Sequence, residues 1–285
     1  MKKMLLASAR GQDFSPLAEA KNIGYITGNP DAPCVLRGLG KDWPAIRKWR
    51  FAYLGSLAPA LPVQLVAGNR ERGLTRFVAS TLGDYLAHLQ NAPQTSAEPR
   101  QLKEFDLLKI FPQLREDLRP TKLFPHGAIV SSSAWISESG ARTGLHFDRL
   151  HNLALQVSGR KRFYLASPGT VEALDQVSNK YDRWACLSRI GINDLAAHGA
   201  STGALYVVDL LPGDALYMPK RWWHEVVTLE PSILLSGFFD AKAGMLRQWL
   251  CTGAIHSLHR AGLWRRNNCV CHPAPSIAVS SKIPI

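Results

Sequence analysis

The sequence predicts a mainly β protein with flanking helices, built around a double-stranded β-helix of the jelly-roll type. Eight short apolar segments separated by turn residues follow one another from about residue 123 to residue 240. Apolar residues at helical spacing occur before and after this region, which places helices around the barrel. The chain has 285 residues, of which 46% are hydrophobic and 20% charged, so it can bury one large core.

Three segments are expected along the chain. Residues 1–122 form an N-terminal α/β flanking segment packed on the barrel, and residues 123–240 form the jelly-roll core. Residues 241–285 form a C-terminal helical segment with a loose tail from about residue 273, where no pattern remains. No internal repeat interrupts this division.

The N-terminal segment contains two predicted strands and two predicted helices. Residues 33–39 and 62–68 are apolar runs typical of strands. A helix over residues 42–49 is opened by Asp42, with Pro44 in its first turn.

The second helix of this segment covers residues 80–90, with Ser80 or Thr81 as its cap. Residues 91–100 are polar, contain two prolines and predict an exposed loop. The apolar positions that give the helix its spacing are Leu82, Tyr85, Leu86 and Leu89.

Short strands with turn signals between them predict the barrel, and residues 170–200 predict a mixed, mainly helical insertion. Strands of this length and number favour two packed sheets over alternating βαβ units. The predicted strands are 128–137, 144–150, 151–159, 161–168, 203–211, 214–219, 224–230 and 232–240.

The formal net charge is +12, and it is unevenly distributed. Residues 241–285 contain six basic residues and no acidic residue, so about half of the excess lies there. Such a region either favours an acidic partner such as RNA or serves solubility. No run of about 18 apolar residues occurs, so no membrane span is expected.

Five cysteines at scattered spacing do not form a disulfide framework, which predicts a reducing, cytoplasmic location. The apolar run of residues 4–9 is shorter than the roughly 7–15 residues of a secretory signal, so secretion is not expected. Cys269, Cys271 and His272 resemble half of a zinc site, but without a second pair they favour ordinary thiols.

A candidate metal site begins with His146 and Asp148. Residues i and i+2 of a strand face the same way, so an imidazole and a carboxylate point to one place. His224, which follows the turn Pro212-Gly213-Asp214 and a strand, is the best third ligand. Two histidines and one carboxylate form a facial triad that leaves positions open for oxygen chemistry at Fe(II).

Simpler interpretations of the same residues stay open at this point. His224 can be a core histidine beside Trp222 and Trp223, and Asp148 can cap a turn. His151 lies at an odd spacing from His146 and is left out. The remaining histidines are interpreted as surface or packing residues, namely His198, His256, His259 and His272.

Lys161 is the candidate clamp for an anionic cosubstrate. It follows Gly159 at the start of a strand on which Phe163 and Leu165 share its side. If that side faces inward, the lysine is buried and needs an anionic partner. A dicarboxylate satisfies this need, and the hydroxyl of Thr143 can assist. The alternative is a solvated basic turn.

These two segments, residues 146–168 and 210–226, resemble the JmjC/cupin-like 2-oxoglutarate oxygenases. The likeness is strongest to the asparaginyl-hydroxylase-like branch, which includes the enzyme that hydroxylates hypoxia-inducible factor. It covers roughly residues 20–240, and Thr143 also matches. The matching positions are His146, Asp148, Asn152, Gln156, Gly159, Lys161, Arg162, Phe163, Pro212, Gly213, Asp214, Leu216, Tyr217, Pro219, Trp222, Trp223 and His224.

The resemblance implies a role for each site residue. His146, Asp148 and His224 would bind Fe(II), and Lys161 with Thr143 would hold the distal carboxylate of 2-oxoglutarate. Asn152 would lie near the metal-proximal end of that cosubstrate. Gly237 departs from the family, which often has Asn at the corresponding position.

The implied activity is a dioxygenase that uses Fe(II), 2-oxoglutarate and O2 to hydroxylate a protein side chain. An RNA base hydroxylase of the same mechanism is the runner-up, because of the basic C-terminal region. A non-catalytic cupin-like binding protein and a zinc or nickel isomerase are two further hypotheses. The resemblance also implies a homodimer through the C-terminal helices. Trp223, Phe238 and Phe239 are candidates for walls of the pocket, and core packing explains them equally well.

Overall fold

Two β-sheets that face each other form the centre of the molecule. The computed structural model describes residues 14–20, 22, 24, 31–69, 74–91, 97–118, 129–198, 204–265 and 268–270. The strands in these residues are β1 Phe14–Pro16, β2 Cys34–Leu36, β3 Pro62–Asn69, β4 Leu74–Thr81, β5 Arg100–Phe105, β6 Ile129–Ser137, β7 Arg142–Asp148, β8 His151–Ser158, β9 Lys161–Ala166, β10 Ala185–Leu187, β11 Leu205–Leu210, β12 Ala215–Met218, β13 Trp223–Thr228 and β14 Ser232–Asp240.

The eight predicted barrel strands are all present, as β6 to β9 and β11 to β14. Strands β12, β8, β14 and β6 lie in an eight-stranded sheet of order β2-β12-β8-β14-β6-β5-β3-β4. Strands β11, β9, β13 and β7 lie in a six-stranded sheet of order β1-β11-β9-β13-β7-β10. Barrel strands alternate between the sheets along the chain, except that β9 and β11 are neighbours in the six-stranded sheet. This is the arrangement of a jelly roll, which confirms the predicted fold class.

Helices surround the sheets. Those in the described residues are α1 Pro44–Lys48, α2 Phe51–Leu57, α3 Leu82–Asn91, α4 Leu107–Ile110, α5 Thr170–Ala173, α6 Ile192–Ala197 and α7 Lys242–Arg260, with a 3-10 turn over Pro112–Asp117.

The ends of two helices show what capping can and cannot specify. The hydroxyl of Thr81 accepts a hydrogen bond from the backbone N–H of Asp84 at 3.1 Å, so Thr81 caps α3 as predicted. The prediction that Asp42 opens α1 is wrong. The residue before this helix is Trp43, whose side chain makes no capping bond, and Pro44 sets the first turn.

The sequence prediction missed strands β1, β4, β5 and β10. Strand β3 pairs with both β4 and β5, and β5 pairs with β6, so the N-terminal segment extends the eight-stranded sheet. The predicted helical insertion contains α5 and α6 but also β10, which pairs with β7. The division into three segments stays a prediction. Part of the expected loop, residues 92–96, and the C-terminal tail lie outside the described residues.

Alternation along the strands separates two layers of apolar packing. Leu153 and Leu155 of β8 pack against the N-terminal helices, together with Trp49 of the connection after α1. Ala154, between them, faces the other sheet and packs near Phe163. Full burial of one large apolar side chain contributes about 1.5–3 kcal/mol, so both layers stabilise the barrel.

The turn Pro212-Gly213-Asp214 has a structural function. Asp214 is buried, and its carboxylate accepts hydrogen bonds from Arg37 at 2.8 Å and from the backbone N–H of Gly38 at 2.9 Å. Gly213 has a φ of +94°, and a Cβ there would lie 3.0 Å from the Cα of Lys41. This turn therefore fixes the segment after β2 against the start of β12.

Among the described helices, none combines the length and apolar character needed to cross a membrane.

Candidate metal centre and cosubstrate cavity

The two histidines of the predicted metal site face each other across neighbouring strands. His146 on β7 is the direct partner of His224 on β13 in the antiparallel pairing. Their ring centroids lie 4.2 Å apart, and both side chains are buried. Directly opposed residues on one face of a sheet have Cβ atoms about 4.5–5.5 Å apart, so this register alone brings the imidazoles together.

Asp148, at the end of β7, completes the group. One carboxylate oxygen lies 4.0 Å from Nε2 of His146, and the other lies 3.8 Å from Nε2 of His224. One candidate ligand atom from each residue falls within 4.8 Å of the others. The sheet thus gathers all three predicted ligands.

Hydrogen bonds to the backbone set the orientation of both rings. Nδ1 of His146 lies 2.7 Å from the carbonyl oxygen of Gly144, and Nδ1 of His224 lies 3.0 Å from that of Trp222. A carbonyl oxygen only accepts, so each Nδ1 is the donor, and Nε2 is the ring nitrogen that each histidine presents to the group. Two imidazole nitrogens and a carboxylate suit Fe(II), and they leave coordination positions open.

Asn152 on β8 supports the carboxylate. Its side-chain N–H donates to a carboxylate oxygen of Asp148 at 3.1 Å. The side-chain oxygen of Asn152 is buried and has no hydrogen-bond partner. An unsatisfied buried acceptor beside the three ligands is what a metal-bound group with a donor would complete.

Lys161 is buried and spans the two sheets. Its ammonium donates to the hydroxyl of Thr228 on β13 at 2.8 Å and to that of Ser137 on β6 at 3.0 Å. Within the described residues it has no ion pair with a carboxylate. Burial, and secondarily the charge of Lys103, lowers the pKa of Lys161 to about 7. A cation held by two hydroxyls in an apolar cavity is suited to receive a carboxylate.

A β-bulge places Thr143 on the same face as the ligands. His224 pairs with His146, but Val226 pairs with Thr143, so β7 has one more residue than β13 in this interval. The extra residue reverses the alternation. Thr143 therefore lines one cavity with Asn152, Lys161 and the three predicted ligands. This space, with an empty volume of about 400 Å³, is called the inner cavity.

A larger space, the outer cleft, opens beyond the metal group and has an empty volume of about 1170 Å³. His146 and Asp148 line both spaces, as do Trp135 and Phe238. The candidate metal centre therefore lies at the junction of the inner cavity and the outer cleft.

Alternate residues of β6 connect the two spaces. Ser131 and Ser133 line the outer cleft, Trp135 lines both spaces, and Ser137 contacts Lys161. The indole N–H of Trp135 is buried and has no hydrogen-bond partner, so it is a donor for a ligand. The sequence prediction missed Trp135, Ser137 and Thr228, because nothing in their local sequence marks them.

Two of the three aromatic residues expected to wall the pocket lie elsewhere. Trp223 is fully buried on the opposite face of β13, packs edge-on against Phe147 at 4.8 Å, and donates its indole N–H to Glu172. Phe239 packs in the core beside His151. Of these three residues, Phe238 alone lines the inner cavity and the outer cleft, because neighbouring strand residues face opposite ways.

The same alternation explains the departure at Gly237. Ser236 and Phe238 line the inner cavity, whereas Gly237 between them is not part of its lining. Ser236 is the polar residue that β14 presents to the inner cavity.

The histidine and thiol residues that were left out of the predicted site do not join the metal group in the described structure. His151 hydrogen-bonds the hydroxyl of Tyr217 at 2.9 Å, away from the metal group. Cys271 and His272 lie outside the described residues.

Comparison with known proteins defines the class. The family described as cupin-like domain matches residues 28–245, which is most of the chain, so this protein belongs to that family. The fold and the curated relatives place it among the JmjC/cupin-like oxygenases, which typically use Fe(II) and 2-oxoglutarate.

Individual relatives are similar at a lower level. The chain is 27% identical to Jumonji C domain-containing protein 5 of Drosophila melanogaster, over 73% of this chain and 54% of that protein. It is 27% identical to lysine-specific demethylase JMJ30 of Arabidopsis thaliana, over 75% and 51%. It is 28% identical to human HSPB1-associated protein 1, over 70% and 46%. The chain spans about half the length of the curated relatives it matches.

Proposed function

We propose that this protein is an Fe(II)- and 2-oxoglutarate-dependent dioxygenase that hydroxylates a protein side chain and releases succinate and CO2. One observation carries the proposal. The group His146, Asp148 and His224 shares a cavity with Lys161, a buried cation that has no carboxylate partner among the described residues. Three metal ligands alone would suit many reactions. The buried Lys161 beside them favours a metal enzyme that uses an anionic cosubstrate.

Each residue has a definite task in this proposal. His146, Asp148 and His224 hold the metal, with the imidazoles kept in one tautomer by backbone carbonyls. Lys161 and Thr143 hold the distal carboxylate of 2-oxoglutarate. When bound together, Fe(II), 2-oxoglutarate and O2 supply the oxidising chemistry that hydroxylates a C–H bond.

The charge of the outer cleft favours a polypeptide over RNA. Glu104, Asp106 and Asp182 line it together with Asp148, and no lysine or arginine is among the described lining residues. Phosphates of an RNA strand would be repelled there, whereas a cationic side chain would be attracted. The indole rings of Trp135 and Trp184 add surfaces that suit cations or aliphatic chains.

The names of relatives agree with a protein substrate or partner, and they raise demethylation as a second outcome. Two of the relatives carry the name lysine-specific demethylase, and several others the name HSPB1-associated protein 1. Hydroxylation of an N-methyl carbon leads to loss of that methyl group, so both outcomes follow from one C–H hydroxylation. We favour stable hydroxylation and leave demethylation to the test.

A binding protein or an isomerase would make different demands on the residues. A non-catalytic binding protein has no need for three grouped metal ligands with two oriented imidazoles. A zinc or nickel isomerase has no use for Lys161. The homodimer through C-terminal helices stays a prediction, although Leu246, Trp249 and Leu250 on α7 are more than half exposed. A cytoplasmic location also stays a prediction, supported by the free thiols of the described cysteines.

The test is 2-oxoglutarate turnover by the purified chain with Fe(II) and ascorbate, followed by mass spectrometry of cellular peptides and RNA. Succinate formation that requires Fe(II), with peptides heavier by one oxygen, is the expected result. Peptides lighter by one methylene would show demethylation, and modified RNA would favour the runner-up. No succinate above the metal-free reaction would leave only the binding-protein interpretation.

A further inference from the structure

A further cavity, distinct from the inner cavity and the outer cleft, lies between α7 and the segment of residues 177–186. It has an empty volume of about 1100 Å³. We call it the basic cavity. Four basic side chains and one acidic side chain line it, so the lining carries three excess positive charges. They are Arg149, Lys180, Arg183, Arg265 and Asp182.

The guanidinium groups of the basic cavity lack carboxylate partners among the described residues. Arg149, Arg183 and Arg265 form no ion pair within the part of the chain that the structure describes. Arg183 lies over the ring of Trp184 at 4.6 Å, and Arg265 lies over the ring of Trp264 at 5.2 Å. Stacking uses the flat face of a guanidinium and leaves its N–H edge for an oxygen acceptor.

Two buried donors in the same lining lack acceptors. Nε of Arg183 and the side-chain nitrogen of Gln248 on α7 are buried and have no hydrogen-bond partner. Buried polar groups are almost always satisfied in folded proteins, so two orphan donors in one cavity indicate a missing acceptor. Asp182 is the acidic residue of this lining, and one of its carboxylate oxygens accepts from the backbone N–H groups of Trp184 and Ala185.

The C-terminal segment cannot supply an acidic side chain either. Residues 241–285, which include α7 and everything after it, contain no aspartate or glutamate. The described lining and the C-terminal segment thus offer no acidic side chain besides Asp182, which leaves these donors to a ligand.

We propose that the basic cavity binds a phosphate group. A terminal phosphate carries close to two negative charges at neutral pH, and two neighbouring backbone phosphates together carry about the same. Either presents several acceptor oxygens, which suits three guanidinium edges and an amide. A monocarboxylate would match only one of the three guanidinium charges. The site is separate from the inner cavity, and it does not depend on the proposed oxygenase activity. The phosphate belongs to a compact molecule or to a nucleic-acid backbone, and the experiment separates these sources.

The experiment is calorimetric titration of the full chain with sodium pyrophosphate, in the absence of metal and 2-oxoglutarate. Saturable binding is expected, and Arg183→Gln and Arg265→Gln are each expected to weaken it by about tenfold or more, because each removes a charged donor. Arg47→Gln on α1, an exposed arginine outside this cavity, is the matched control and should leave the affinity unchanged. Circular dichroism of each variant establishes that it is folded, and the exposed position of Arg265 makes its variant the safer of the two.

Competition with a short single-stranded RNA distinguishes the sources. If pyrophosphate binds and displaces the RNA, the cavity accepts phosphates of either origin. If pyrophosphate binds and the RNA does not, the ligand is a compact molecule. The proposal is overturned if pyrophosphate does not bind, or if the Arg183→Gln and Arg265→Gln variants bind it as well as Arg47→Gln does.

Discussion

The rings of His146 and His224 lie 4.2 Å apart because these residues are direct partners in the pairing of β7 with β13. Each Nδ1 is engaged by a backbone carbonyl, so both Nε2 atoms point to the carboxylate of Asp148. Sheet register therefore builds the candidate metal centre, and the oxygenase proposal depends on this arrangement.

Loss of one imidazole should remove most of the metal affinity. We expect His224→Ala to weaken Fe(II) binding by more than about tenfold. Even the loss of a residue that only supports a ligand lowers metal affinity by about 10–100-fold. Anaerobic calorimetric titration measures this. His198→Ala, at the exposed end of α6, is the control and should bind Fe(II) normally. Equal affinity in the two variants would exclude His224 as a ligand.

Binding of 2-oxoglutarate should take up a proton. The pKa of Lys161 is lowered to about 7 by burial, so at pH 8 this lysine is mostly neutral in the free protein. A bound carboxylate raises that pKa, and about one proton is taken up at pH 8 but few at pH 6. Affinity should therefore fall as pH rises above about 7. Calorimetry in buffers of different ionisation enthalpy measures the proton count.

Lys161→Met is the matched variant for this titration. It should weaken 2-oxoglutarate binding and abolish the dependence of the observed enthalpy on the buffer. Wild-type protein that shows no buffer dependence at pH 8, or a variant that keeps full affinity, would place the cosubstrate away from Lys161.

Acidic residues of the outer cleft should select the substrate without affecting the cosubstrate reaction. We expect Glu104→Gln combined with Asp106→Asn to raise KM for a cationic peptide severalfold, because two attractive charges are lost. Succinate formation in the absence of peptide should not change. Glu116→Gln, an exposed residue of the 3-10 turn, is the control. A KM that is unaffected by the double variant would mean that peptides enter by another route.

Gly159 is expected to be essential for the turn before Lys161. Its φ is +69°, and an added Cβ would overlap the carbonyl oxygen of Pro231. Gly159→Ala should lower the free energy of unfolding by about 3 kcal/mol or more, since strain and overlap add. Gly169→Ala is the matched control, with a φ of +87° but open space around it, and should cost about 1–2 kcal/mol. Urea unfolding measures both, and equal costs would refute the overlap argument.

Much of the barrel could be predicted because its strands carry their own signals. Apolar runs between turn residues located the eight barrel strands. The i, i+2 spacing of Lys161, Phe163 and Leu165 predicted that they share one face of β9, and this face is buried. Strand β10 has only three residues, too few to show a pattern, and β5 contains a register shift against β6 that breaks the alternation. Such strands are defined by their neighbours and are not visible in local sequence.

The site was predictable only in part, for a related reason. Spacing and resemblance pointed to His146, Asp148, His224 and Lys161, whose grouping the structure shows. Partners such as Ser137 and Thr228 come from other strands and depend on register. For Trp223 the structure confirms the core-packing alternative, because strict alternation places it on the face opposite to His224.

The most direct test of the central claim is a crystal structure of the chain grown anaerobically with Fe(II), with anomalous difference density measured at the iron edge. We predict one peak, about 2.0–2.2 Å from Nε2 of His146, Nε2 of His224 and a carboxylate oxygen of Asp148. A peak elsewhere, or no peak at these three residues in crystals saturated with Fe(II), would contradict the account.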